Sequence, residues 1–542
     1  MRIVSTALQN VELEVLAEQS DEVGPWIIAG PYAPGQSAAR SLRILIVATE
    51  TSPVRGGIAR TVGYLQDGFQ ERGHHVDVLA YPEVGRLVFG QVRLSSLIFK
   101  LPQLLRRINE YDVIHIHGAT PTISDVALLF VRPRGRHPLV IYTHHMDLDF
   151  GPGGFLSRAY NYLHHRLSAQ ADAVIASTWD TLRLLGDSCR GLVIPFGVDL
   201  EHFSTNGQKD ERFTVLFTGQ FRPYKGVRVL LQAMSQITGV RLLLAGQGPE
   251  ERAYRSLGAE LGLDVEFHIG VDDDQLRHLY QRAHAVVLPS VSRLETFGLV
   301  LVEGMAAGCV PIASDLPGVR EVVGRTGFLF PAGDANRLAG ILCGLRDDPA
   351  LVQQISDCAR IHAAGFGRER TICEYQRLIT QLIACRDLKD RLADQAQSCQ
   401  SALHTFATDL ASNLEADWAQ IVLCPTQVKL YPVASSGPVR FSDYRQFERA
   451  SSLLVQYAIN TGDSTLVGPN NGPLHLRNMV IREMPAAMVT PLTIGREHFG
   501  ALLSMRERPF DQRDLSSLTH FARYAAPSLH AVVKRAVVER GL

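Results

Sequence analysis

FTVLFTG, residues 213–219, decides the fold. It is a continuous apolar run of buried-strand length, and after the polar gap EHFSTNGQKDER (201–212) it restarts a pattern already complete upstream. Downstream of it VRLLLAG (240–246), VEFHIG (265–270), AVVLP (285–289) and VPIAS (310–314) recur at similar intervals, separated by longer stretches of helical spacing. Upstream, LRILIVA (42–48), VDVLA (76–80), DVIHIH (112–117), LVIYT (139–143) and AVIAS (173–177) form the first series. Behind LRILIVA a Gly-containing loop leads to Ile58, Val62, Leu65 and Phe69 at helical spacing, with Gly73 as the expected C-cap. Short β-branched runs alternating with helices read as a parallel sheet covered on both faces. Two such series predict an α/β chain with two facing doubly wound, Rossmann-like domains. The crevice at the carboxyl ends of their strands is the expected ligand site.

The flanks differ from this core. Residues 1–40 end in a Gly/Pro/Ser cluster, AGPYAPGQSAARS (29–41), and read as a loosely held extension. After Arg386 the composition shifts. RDLKDRLADQAQSCQSALHTFATDLASNL (386–414) reads as one long helix, and strand-like IVLC and VKLYPV follow. A helix near 446–459, the strands AMVTPLTI and FGALLSM, and a last helix from about 511 complete an α+β module. Leu518, Ala522, Ala525, Leu529 and Val532 share one face of that last helix, and Pro527 is expected to kink it.

Composition bounds the function. The chain has 542 residues, room for about three or four domains. With 46% hydrophobic and 20% charged residues it is globular rather than disordered. A formal net charge of -1 leaves no global field for nucleic acid, and none is expected as a partner. The eight cysteines are scattered without a Cys-x-x-Cys pair, which suits reduced thiols in a cytosol. The opening MRIVSTALQNVELEVLAE has no apolar core followed by a cleavage site, and no stretch reaches the length of a membrane span. The expected location is therefore cytoplasmic, with peripheral contact at the inner face of a membrane as the alternative.

Three segments carry chemistry. ETSPVRGGIAR (50–60) places Gly56 and Gly57 just before a helix, where a side-chain-free backbone lets a phosphate approach the amides; a tight turn with no ligand is the alternative. Neither a G-x-G-x-x-G at this loop nor a Walker loop is present, which counts against dehydrogenases and ATPases. TGQFRPYKG (218–226) puts Arg222 and Lys225 on the loop leaving the second series' first strand, able to neutralise a diphosphate or simply solvated. SVSRLETFGLVLVEGMAAG (290–308) supplies Glu295 just before an apolar helix and Glu303 about two turns inside it. Eight helical steps separate the two carboxylates by up to about 12 Å, the scale of a nucleotide sugar. The amides near Phe297, Gly298 and Leu299 point at any anion between them. Two exposed acids on an amphipathic helix are the alternative, but Glu303 lies among apolar neighbours, where an unpaired carboxylate is costly.

Taken in order, PVRGGIAR, YDVIHIHG, THHMD, VIPFGVDLEHF, GQFRPYKGV, LLLAGQGPE, VVLPSVSRLETFGLVLVEGMAAGCVPIASDLPGVREVV and GFLFPAGD resemble a family 4 glycosyltransferase of the GT-B fold. The resemblance spans residues 42 to about 384, nearly two thirds of the chain. It implies a retaining enzyme that uses a nucleotide-diphosphate sugar, with 41–205 as the acceptor domain and 206–385 as the donor domain. It further implies that Gly57 lies against the donor diphosphate, that Lys225 pairs with it, and that Glu295 with the Phe297–Leu299 backbone holds the sugar. Glu303 is implied to bind the ribose, and the backbone at Val271 to face the base. His145 aligns with the histidine beside the reacting sugar, with His144 as runner-up.

The family usually carries Arg where this chain has Gln220, so Arg222 either supplies that charge or leaves the diphosphate to Lys225 and the helix amides. No metal cluster is read and no cofactor is expected beyond the donor. No nucleophile is nominated, which favours same-face attack with the departing phosphate helping to deprotonate the acceptor, a glycan or a lipid-linked molecule in cell-surface or exopolysaccharide assembly. Residues 86–107, RLVFGQVRLSSLIFKLPQLLRR, read as a helix. Arg86, Arg93, Lys100, Arg106 and Arg107 suit either an anionic membrane or a solvated face of a helix packed on the first sheet.

Residues 386–542 resemble a GAF domain, resting on AMVTPLTIGREHFGALLSM, RPFDQRDLSSL and the flanking helices. The resemblance implies small-ligand sensing or a homodimer contact, and leaves the choice open. Two other readings stand beside the enzyme: a silent, nucleotide-sugar-binding regulator, favoured by Gln220, and another GT-B enzyme such as an epimerase or phosphorylase.

Overall fold

The computed structural model describes residues 41–540 apart from 52–55, 81–85, 90–91, 96–107, 121–122, 131–137, 149–153, 187–190, 205–206, 394–398, 425–429, 437–443, 469–471, 474–475, 477–485 and 496. The expected extension at 1–40 lies outside the described residues. Contacts divide the described chain into two compact units, Ser41–Cys373 and Glu374 onward.

The first unit holds both doubly wound sheets. Its strands begin with β1 (Arg43–Val47) and β2 (His75–Leu79), followed by a short antiparallel pair, β3 (Arg86–Phe89) and β4 (Val92–Ser95). Next come β5 (Val113–Gly118), β6 (Leu139–His144), β7 (Ala173–Ala176) and β8 (Gly191–Val193). The first sheet is parallel with order β2-β1-β5-β6-β7-β8. β9 (Thr214–Thr218), β10 (Arg241–Ala245), β11 (Val265–His268), β12 (Ala285–Leu288), β13 (Val310–Ser314) and β14 (Phe328–Phe330) form the second. It is also parallel, with order β11-β10-β9-β12-β13-β14. In each sheet the order reverses beside the first strand. Loops leaving β1 and β5, or β9 and β12, therefore diverge around a crevice, which is where α/β sheets bind ligands.

β5, β6, β9 and β12 are buried at every position, as expected of parallel strands covered on both faces. The helix Gly57–Glu71 buries Val62, Leu65 and Phe69 and ends at Arg72, so Gly73, at φ +81°, sits one residue beyond the cap.

Three sequence expectations need correction. Residues 86–95 are two strands, not the start of a helix. Leu87-Val88-Phe89 and Val92-Arg93-Leu94 are β-prone runs flanking Gly90-Gln91, a two-residue hairpin pattern that the basic periodicity obscured. Residues 96–107 of the same expected helix lie outside the described residues. The expected boundary at 385/386 falls inside a continuous helix, Arg368–Ala393, and the division between units falls at Cys373/Glu374. The helix read over 386–414 is the end of that element plus a second helix, Cys399–Asn413.

The second unit is an antiparallel sheet of β15 (Trp418–Leu423), β16 (Tyr431–Ser435), β17 (Thr465–Val467), β18 (Ala486–Ile494) and β19 (Glu497–Arg506), in the order β16-β15-β19-β18-β17. Alternation along its strands sorts the two faces. Ile421, Leu423, Met488 and Leu502 pack with Phe406, Leu410 and Phe521 of the helices Cys399–Asn413 and Gln512–Arg540. Trp418, Val422, Val489 and Leu503 pack with Leu454 and Val455 of the helix Tyr444–Thr461. The last helix continues through Pro527.

Candidate active site

The second sheet supplies one wall of the crevice. After β9 the chain makes the turn Pro223–Lys225 and reverses at Gly226, φ +69°. A Cβ there would lie 1.8 Å from the Pro289 carbonyl oxygen, so only glycine lets the β9 loop close onto the end of β12. That closure brings Lys225 Nζ to 2.5 Å from Glu295 Oε2, and Ser290 Oγ donates to the same oxygen at 3.2 Å. Burial opposes the Lys225 ammonium, yet the Glu295 carboxylate more than compensates and raises its pKa. Arg222 instead turns its Nε to Gln220 Oε1 at 2.8 Å.

The helix Leu299–Ala306 begins after Gly298, which takes φ +84° and offers no side-chain cap. Glu303 therefore sits about one turn into the helix, not two, because residues 295–298 are not helical. Its carboxylate is buried (1% exposed) and fully engaged: Arg60 pairs with Oε1, and the Tyr280 hydroxyl donates to Oε2 at 2.8 Å. Arg60 also reaches Asp273 at 3.0 Å. Burial and then the Glu303 charge hold the Tyr280 hydroxyl well above its usual pKa, while Glu303 raises that of Arg60.

Arg60 comes from the helix Gly57–Glu71 of the first sheet, so this network joins the two halves. Gly57 opens that helix, and a Cβ on it would meet Leu299 Cδ1 at 3.4 Å. Two helix N-termini without side-chain caps thus converge from the two halves, an arrangement suited to an anion. Val271 is half-buried between β11 and the helix Asp273–Arg282, whose start is fixed by an Asp272–Gln275 capping box.

The first sheet supplies the histidines. The His145 N–H donates to the Gly118 carbonyl at 2.7 Å. Its ring stacks on Phe196 and on His117, and its Nε2 lies 2.9 Å from His117 Nδ1. Burial, then the neighbouring His117, depresses the His145 pKa well below the usual value, so the imidazole is neutral at pH 7. Thr296 Oγ1 donates to the His145 carbonyl at 2.8 Å, and Phe196 meets Phe297 edge-on at 5.2 Å. The structure thereby joins His145 to the Glu295–Leu299 loop of the other half. His144 does not share this face: its Nδ1 pairs with the Tyr142 hydroxyl at 3.1 Å and its Nε2 lies 3.2 Å from Asp147 Oδ1.

Sequence reasoning missed Arg60, Tyr280, Ser290 and Thr296. Arg60 stands inside the quoted GGIAR, but its role depends on a partner 243 residues away. It also missed a reciprocal cap between the halves. Glu321 accepts from the Trp179 and Asp180 amides at 2.9 and 2.6 Å, while Asp180 Oδ2 accepts from the Gly318 amide at 3.1 Å. Burial raises the Glu321 pKa against those two amides. Among the described residues, His144, Asp147 and His165 converge as metal ligands would, their ligand atoms within 4.8 Å of one another.

Two doubly wound parallel sheets, each with its order reversing beside its first strand and joined by contacts between the halves, have the architecture of the GT-B fold. Comparison with known proteins agrees. The family described as "Glycosyl transferases group 1" matches residues 199–362, and "Glycosyltransferase Family 4" matches residues 55–202. A phosphatidyl-myo-inositol mannosyltransferase of Mycolicibacterium smegmatis is 29% identical over 343 residues, 57% of this chain and 86% of that protein. D-inositol 3-phosphate glycosyltransferase 1 of Catenulispora acidiphila is 31% identical over 300 residues, 49% of this chain and 71% of that protein. Sucrose-phosphate synthase of Thermosynechococcus elongatus shares the fold, with TM-score 0.53 and 23% identity over 64% of this chain and all of that one. The chain belongs to the group 1, family 4 glycosyltransferases. Among the described residues no helix is long and apolar enough to cross a membrane.

Proposed function

We propose that this chain is a retaining glycosyltransferase that moves a hexosyl unit from a nucleotide-diphosphate sugar to a glycan or lipid-linked acceptor, in cell-surface or exopolysaccharide assembly. The Lys225–Glu295 pair at the mouth of β9 and β12 carries the reading. It offers a fixed cation for the diphosphate and a carboxylate for the sugar hydroxyls within one contact. The mannosyl donor and the lipid acceptor named for the Mycolicibacterium relative favour a hexosyl donor and a lipid-linked acceptor here too.

Cleavage of the bond between sugar and diphosphate builds positive charge at the anomeric carbon and negative charge on the departing phosphate. Lys225 and the two helix N-termini would meet that phosphate as pre-oriented charge, and Arg222 would join them by leaving Gln220. His145, neutral and held by His117, would bond a sugar hydroxyl at the same centre. With no nucleophile nominated, retention follows from attack on the face the phosphate leaves, the phosphate taking the acceptor's proton. The second unit, read as a GAF-like domain, is assigned a sensing or dimerising role.

The test is a donor panel. UDP-, GDP-, ADP- and dTDP-sugars are screened by thermal shift and nucleotide release, beside Glu295→Ala and Lys225→Ala. Stabilisation by one nucleotide family, with release lost in both variants, establishes the transfer reading and its donor class. A second reading rests on Gln220, which stands where the family carries arginine and here occupies Arg222. Binding without release, even with candidate acceptors, selects that silent regulatory reading.

A further inference from the structure

We infer that the first sheet carries a site for a divalent transition-metal ion, ligated by His144 Nε2, Asp147 Oδ1 and His165 Nε2. These residues come from the end of β6, the loop after it, and the helix Phe155–Ser168. The two imidazole nitrogens lie 3.2 and 2.7 Å from the same carboxylate oxygen. Ligands held about 2.0–2.1 Å from a zinc-sized ion stand about 3.3 Å apart in a tetrahedron, so an ion enters with a shift of about 0.1 Å at the His144 contact and about 0.6 Å at the His165 contact, where it replaces the His165–Asp147 hydrogen bond.

Two features distinguish this cluster from an ordinary hydrogen-bonded one. His144 is completely buried, and its Nε2 approaches Asp147 without hydrogen-bonding geometry, a nitrogen aimed at the carboxylate but misaligned to donate to it. Its other nitrogen is fixed by a relay of the kind that orients metal-bound histidine. His144 Nδ1 meets the Tyr142 hydroxyl at 3.1 Å, that hydroxyl meets His164 Nε2 at 2.5 Å, and His164 Nδ1 meets Asp125 Oδ1 at 2.5 Å. The Asp147 and His165 side chains are partly exposed, 31% and 16%, which leaves an open face for water or another oxygen ligand. Two histidines and one carboxylate select zinc, cobalt, nickel or ferrous iron over magnesium or calcium. The glycosyl-transfer machinery uses none of these three side chains, so the site stands or falls apart from it.

The test uses the full chain, stripped of metal with chelator and titrated with Co2+, reading its visible ligand-field bands and the bound ratio. One ion per chain is expected, displaced by Zn2+. Affinity should fall more than about 100-fold in Asp147→Asn and His165→Ala, and about 10- to 100-fold in Tyr142→Phe, which breaks the relay. Thermal melting of each variant without metal guards against misfolding, and Asp147→Asn, partly exposed and isosteric, is the variant least exposed to that failure. Absence of saturable binding at one ion per chain overturns the proposal, as does binding that Asp147→Asn and His165→Ala leave unchanged.

Discussion

Lys225 and Glu303 face the same problem, a charge in a wall that is mostly dry, and each is answered by a partner. Lys225, 17% exposed, leans on Glu295, so a donor diphosphate competes with that carboxylate for the ammonium. Lys225→Ala is expected to lower nucleotide release about 10²- to 10³-fold, the cost of losing one pre-oriented counter-charge. Steady-state release with the best donor of the panel checks it. Glu303 depends on Arg60 for its countercharge. Arg60→Ala leaves that buried carboxylate with Tyr280 alone and is expected to cost about 3–5 kcal/mol of stability. Arg60→Lys should recover only part of this, because a single ammonium cannot serve both Glu303 and Asp273 as the guanidinium fork does. Urea midpoints of the three proteins decide, and a loss within about 0.5 kcal/mol in Arg60→Ala would mark the pair as peripheral. Glu303 was legible as a residue that had to be paired, since its neighbours in sequence are apolar; the identity of its partner was not, because nothing local encodes a contact between halves.

β5, β6 and the residue that follows β6 bury His115, His117, His144 and His145 in the first half. Burial depresses all four, His115 to about 3, with His145 adding to the effect there. The unfolded chain holds these protons near pH 6.5 and the folded chain does not, so the unfolded state binds more protons as the pH falls. Their stabilising contribution is complete above about pH 6.5 and is lost progressively on acidification. His115 alone accounts for about 2 kcal/mol between pH 6.5 and 5, at about 1.4 kcal/mol per pH unit. Urea unfolding at pH 7.5 and 5 should show at least that loss, and His115→Gln, which still reaches Thr143 without titrating in this range, should reduce it. A stability unchanged between those pH values would mean the imidazoles take up protons in the fold as readily as in the unfolded chain. At this scale the sequence was most readable where apolar runs were long and buried on both faces, as in β1, β6 and β9. It was least readable at the three-residue strands β8, β14 and β17, which are too short to show a period. The β3–β4 pair was missed because four-residue strands are too short to show a period.

On the scale of the whole chain, the repeat of one strand–helix series was enough to predict two doubly wound sheets, whereas the edge of the second unit was hidden inside a helix. Arg368–Ala393 runs through the division after Cys373 without a glycine or proline, so nothing in the sequence punctuates the chain at that point. Each unit has its own core: the first unit's are built around residues such as Val286 and Leu244, and the second's around Leu410 and Leu502. Two cores imply two unfolding events that respond differently to ligand. A nucleotide that binds only the native crevice stabilises the first unit by about 2.7 kcal/mol at a hundred times its Kd. The second unit, which contributes no proposed donor-binding residue, should not move. Tryptophan reports on both, since Trp179 lies in the first unit, beside the Glu321 cap, and Trp418 lies in the core of the second. With Trp26 replaced by Phe, proteins retaining only Trp179 or only Trp418 are heated with and without the nucleotide chosen by the donor panel. The Trp179 transition is expected to rise by several degrees while the Trp418 transition stays in place. One shared transition, shifted equally for both reporters, would show that the two units unfold as a single cooperative body, and that nucleotide binding in the crevice is felt by the second unit.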